Sequence, residues 1–77
     1  MVTVHKAHGC RYVIFTNDHD PPHVHVFGPG AEAKVSLDPM ILEWTAGFKK
    51  GDLRRILNEV QDQRELLLEK WNEIHGD

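Results

Sequence analysis

The sequence predicts an α+β domain, an antiparallel sheet of four to five strands followed by one long C-terminal helix packed on it. Two observations predict it. Between Val2 and Leu37, short runs of β-branched and aromatic residues are separated by Gly- and Pro-containing turns. From about Lys50 to Ile74 the apolar spacing changes to that of a helix. The 77 residues make room for one domain, 1–77. A core of that size gives little net stability without a staple or a partner, so dimerisation or docking on another protein is expected.

Val2 to Lys6 alternates weakly and reads as a first strand, with Ala7 to Gly9 as its turn. Arg11-Tyr12-Val13-Ile14-Phe15-Thr16 is the clearest strand of the chain. His23-Val24-His25-Val26-Phe27 alternates polar and β-branched residues, the pattern of a strand with one face buried and one presented. Gly28-Pro29-Gly30 then turns into Ala31 to Leu37, which puts Ala31, Ala33, Val35 and Leu37 on one face and makes a hairpin. Asp38-Pro39 breaks that strand, and Met40 to Trp44 reads either as a short fifth strand or as an irregular link. In the C-terminal segment Leu53, Ile56, Leu57, Val60, Leu67, Leu68 and Trp71 keep one apolar stripe. Some 25 residues of helix would span roughly 37 Å, longer than a small sheet is wide. The end carrying Leu67, Trp71 and Ile74 therefore either overhangs and meets a partner, or completes the core, with a bend near Gln63 as a further option.

Composition excludes several classes. Cys10 is the only cysteine, so no intramolecular disulfide forms, and no apolar run approaches a membrane span or a signal peptide. The expected location is the cytoplasm. Up to Ser36 the charges balance, with Lys6, Arg11 and Lys34 against Asp18, Asp20 and Glu32, while the net charge of −3 falls on the rest of the chain. A general electrostatic grip on nucleic acid is not indicated, although Lys49, Lys50, Arg54 and Arg55 form a local basic site.

The candidate site is Asn17 to Phe27, which holds three of the six histidines, two adjacent prolines and two carboxylates. The prolines keep Asp20 to Pro22 extended or turning. On the strand that follows, His23 and His25 stand on one face with Cβ atoms roughly 7 Å apart.

Asn17-Asp18-His19, Pro21-Pro22-His23-Val24-His25-Val26, Glu32-Ala33-Lys34, Leu37-Asp38-Pro39, Gly47-Phe48 and Arg64-Glu65-Leu66-Leu67 with Trp71 together resemble the small bacterial proteins of the DUF4160 family, from about Val4 to Ile74. The resemblance implies a genetic setting beside a partner protein of the DUF2442 type, in what looks like a type II toxin–antitoxin pair. It implies no established reaction. Many relatives place a serine at the helix N-cap, where this chain has Lys49, which leaves Asp52 to cap.

Three readings of the histidines stand beside a structural one. In the first, His23 and His25 are an acid–base pair acting on RNA, with His19 auxiliary and Arg11, Asp18, Arg54 and Arg55 contacting substrate. In the second, the imidazoles and Asp18 or Asp20 hold a metal ion, against which the lack of a second cysteine counts for a structural zinc. A histidine-triad nucleotide hydrolase needs a further His where this chain has Phe27. The structural reading makes the histidines hydrogen-bonded fixtures of the Asp18 to Pro22 turn or contacts to a partner. The assignment taken forward is a toxin-like component acting on RNA, with no metal and no cofactor. The alternative is a non-enzymatic module that binds its partner or dimerises.

Overall fold

The structure, a computed structural model, describes residues 1–76; Asp77, the last residue of the expected domain, lies outside the described residues. Five strands run in sequence order across one antiparallel sheet: β1 (Val2–Ala7), β2 (Cys10–Ile14), β3 (His23–Gly28), β4 (Ala31–Leu37) and β5 (Met40–Ala46). Met40 onward is thus a strand, and it runs two residues beyond the expected Trp44. Two helices follow, α1 (Lys50–Asp62) and α2 (Arg64–His75).

Tight turns explain the simple topology. His8 and Gly9 both adopt positive φ, at 56° and 72°, the two-residue turn whose twist matches paired strands. Pro29-Gly30 and Asp38-Pro39 close the third and fourth hairpins just as briefly. The exception is the stretch from Phe15 to Pro22 between β2 and β3. It leaves the sheet early because the Phe15 amide donates to Asp18 Oδ2 at 3.1 Å and the Asp18 amide to the Phe15 carbonyl at 3.0 Å. Phe15 and Thr16, expected in the strand, begin this loop instead.

Register assigns the two sheet faces. Tyr12 opposes Val26, Val24 opposes Val35 and Val26 opposes Ala33, and these side chains meet Ile56, Val60, Leu67 and Trp71 of the helices in the core. On the other face Val13 opposes His25, His23 opposes Ser36 and His25 opposes Lys34.

The expectation of one long helix is corrected: the chain breaks at Gln63 (φ −101°, ψ 11°). Gln61, Asp62, Gln63 and Arg64 are all polar, so no apolar residue holds that turn to the sheet. Arg64 holds it instead, donating from Nε to the Leu37 carbonyl at 2.6 Å and from Nη2 to Asp38 at 2.9 Å. The apolar stripe resumes on the far side of the break. Leu67 is 0% and Trp71 3% exposed, and Ile74, partly buried, packs against the core, so of the two expected arrangements for this end these residues take up core packing within the chain. At the start of α1, Lys49 is the N-cap and its amide donates to Asp52 Oδ2 at 3.2 Å, the cap expected from Asp52.

Candidate functional site

The Phe15–Pro22 loop folds over the start of β3 and brings Asp18 to both strand histidines. Asp18 Oδ2 lies 3.3 Å from His23 Nε2 and 3.5 Å from His25 Nε2. The donor atoms of the three side chains all fall within 4.8 Å of one another. Asp18 is itself held by the Phe15 amide, so the carboxylate is fixed by backbone before any histidine reaches it.

His23 is the more constrained ring. It is 6% exposed and its Nδ1 lies 2.9 Å from the Pro21 carbonyl. A carbonyl only accepts, so Nδ1 carries a proton and Nε2 is the atom turned to Asp18. Trp71 approaches the His23 ring at 5.1 Å, His75 stacks on Trp71 at 3.9 Å, and His75 Nε2 donates to the Phe15 carbonyl at 3.1 Å. The end of α2 thereby backs the His23 ring and ties down the loop that carries Asp18.

His25 is half-buried between His23, at 5.1 Å, and Phe15, at 4.7 Å between ring centroids. Burial pushes its pKa below the usual histidine value, against the opposing pull of the Asp18 carboxylate. A second carboxylate, Glu32, lies 3.8 Å from its Nδ1. Among the described residues, neither ring nitrogen of His25 has a hydrogen-bond partner.

These side chains floor an open cleft of about 340 Å³ whose walls include His19, Asp20, Lys34 and Glu43. His19 is at its exposed rim. Of the expected substrate contacts, Asp18 is therefore in the site, whereas Arg11, Arg54 and Arg55 do not line it. Arg11 lies 5.7 Å over the Phe27 ring toward the other end of β3, and Arg55 pairs with Asp52 at 2.7 Å. Lys34 and Glu43 were missed. Lys34 was within reach of a count outward from the Pro29-Gly30 turn, which pairs it with His25. Glu43 had no such signal, because a register shift between Lys34 and Val35 intervenes.

A second group joins β1 to α1: His5 Nε2 donates to Glu59 Oε2 at 2.6 Å, and His8 Nε2 lies 3.3 Å from Glu59 Oε1. The His5 hydrogen bond holds the Glu59 carboxyl below the usual carboxylate range, against the opposing effect of burial, with His8 adding to the lowering.

Fold and site define a small α+β meander domain whose loop carboxylate meets two strand imidazoles. The chain belongs to DUF4160, described as a domain of unknown function, whose family model matches residues 9–72. Searches of curated proteins and of solved structures return no match. Among the described residues, no helix is long and apolar enough to cross a membrane.

Proposed function

We propose that the chain is the toxin-like component of a bacterial two-protein module and acts on RNA at the Asp18 cleft. The observation that carries this reading is the convergence of two imidazole nitrogens on one Asp18 oxygen, at the floor of a cleft with a lysine in its wall. The two-protein setting is supported by the family resemblance, which implies a neighbouring DUF2442-type partner.

Geometry changes the assignment of roles. A pair of histidines that brackets a phosphate must present both rings to the substrate, whereas His23 is buried against Trp71 and bonded to Pro21. In our reading Asp18, His23 and His25 act as one unit at the floor, Lys34 holds the phosphate and His19 contacts substrate at the rim. To test it, wild type, Asp18→Asn and Lys34→Ala would be induced in cells with and without the partner gene. Wild type alone should arrest growth and fragment RNA, both variants should lose this, and the partner should restore growth. Arrest with intact RNA would exclude RNA as the target.

A second reading, the binding module, is favoured by one observation. Ile41 and Trp44 on the edge strand β5 are each 51% exposed, on the same sheet face as His25. Large apolar side chains on an edge strand are a natural place for a partner protein or a second copy to pair. In that case Ile41→Asp with Trp44→Lys should abolish association while Asp18→Asn leaves it intact.

A further inference from the structure

The structure assigns Asp18, His23 and His25 as a binding site for a first-row divalent transition-metal ion, with Asp18 Oδ2 and the two Nε2 atoms as ligands and an open position facing the cleft. It rests on the reading of this cleft as the working centre but not on RNA being its substrate.

Four features of the site converge on an ion. The first is donor spacing. Zinc bonds of roughly 2.0–2.1 Å at tetrahedral angles place neighbouring ligand atoms about 3.3–3.4 Å apart. Asp18 Oδ2 is 3.3 Å from one Nε2 and 3.5 Å from the other. These separations are long for N–H···O bonds, which cluster below about 3.2 Å.

Proton accounting is the second. The Pro21 carbonyl fixes a His23 proton on Nδ1, so a single-proton ring would point the Nε2 lone pair at an aspartate oxygen. Two lone pairs at that distance repel unless a cation lies between them, either a second proton or a metal. Third, both His25 ring nitrogens are buried without a hydrogen bond among the described residues, an unfavourable arrangement that ligation relieves at Nε2.

The fourth is the set of groups behind the ligands. Ligating histidines ordinarily donate their other ring N–H to a carbonyl or carboxylate, which sets tautomer and orientation. Here Pro21 serves His23 at 2.9 Å and the Phe15 amide donates to Asp18, while Glu32 faces Nδ1 of His25 from 3.8 Å, beyond hydrogen-bond reach. Two imidazoles and one carboxylate suit zinc, iron(II) or their first-row neighbours and not magnesium or calcium. Three protein ligands beside a cleft lined by Lys34 and Glu43 leave room for an oxygen donor from solvent or substrate, as in catalytic and not structural sites.

The test is calorimetric titration of the full chain, stripped with a chelator, with zinc chloride, in wild type, Asp18→Asn, His25→Ala and His8→Ala. The expected result is one ion per chain, weakened by roughly 100-fold or more in Asp18→Asn and His25→Ala and unchanged in His8→Ala. Circular dichroism reports folding of each variant, and zinc should raise the melting temperature of wild type but not of Asp18→Asn, which keeps an acceptor for the Phe15 amide. Cobalt(II) should give the intense visible bands of a four-coordinate site. Absent binding, or binding equal in wild type and Asp18→Asn, overturns the assignment. Zinc bound by a chain that leaves RNA intact would retain the metal site and remove the RNA reading; RNA cleavage that persists in chelator without zinc binding would do the reverse.

Discussion

His23 is the most buried of the three converging side chains, and its replacement separates scaffold from chemistry. Its ring touches Trp71 and His25 and holds Pro21. His23→Ala opens a gap against Trp71 and removes a buried hydrogen bond, so it should destabilise folding by about 1–3 kcal/mol. Urea denaturation measures this. Asp18→Asn, whose amide oxygen still accepts from Phe15, should cost less than His23→Ala while removing function. The alternation of His23-Val24-His25-Val26 was enough to place both histidines on one face, because a strand has a period of two. Their closeness to Asp18 was not legible. A one-residue difference in where β2 ends would move Asp18 away, and that end is decided by the turn that Asp18 itself caps. The burial of His23 comes from Trp71, distant in sequence, and no local pattern encodes it.

At the level of elements, the break at Gln63 determines what the C-terminal residues do. Leu67 and Trp71 sit under the sheet, so Leu67→Ala should cost about 2–5 kcal/mol and Trp71→Ala about 3–5 kcal/mol, as cavities in a packed core do. Thermal melts of the two variants check this; a loss of association with unchanged melting would instead restore them as an interface. The helical spacing legibly put these residues on one stripe with Ile56 and Val60. Overhang and core packing share that stripe, and choosing between them requires the Arg64 contact to Leu37 and Asp38. The other link between helix and sheet is Glu59 with His5 and His8. Since the folded chain holds the Glu59 carboxyl below its ordinary value, it takes up that proton less readily than the unfolded chain does. Glu59 therefore adds stability above the usual carboxylate range, and the gain is lost as pH falls through that range toward the depressed value. Glu59→Gln should remove about 0.5–1 kcal/mol at neutral pH and flatten the acid limb of a plot of urea midpoint against pH.

For the whole molecule, one core lies between the helices and one sheet face, and the other face carries the cleft together with Ile41 and Trp44. The strand order was recoverable from the chain because each hairpin closes with its neighbour in sequence. The charge division was equally plain, and it keeps the general surface unsuited to nucleic acid while leaving Lys34 as the one lysine lining the cleft. Changing Trp44 to Lys should leave the melting temperature within the small range of surface substitutions, about 0.5 kcal/mol in stability. The account depends most on the convergence of Asp18, His23 and His25, and a long-range proton–nitrogen spectrum of the imidazoles in the metal-free chain at neutral pH tests it most directly. It should show His23 protonated at Nδ1, with the Nε2 signals of His23 and His25 both moving in Asp18→Asn while those of His5 and His8 stay in place. A neutral His23 protonated at Nε2, or Nε2 signals indifferent to Asp18→Asn, would contradict the site.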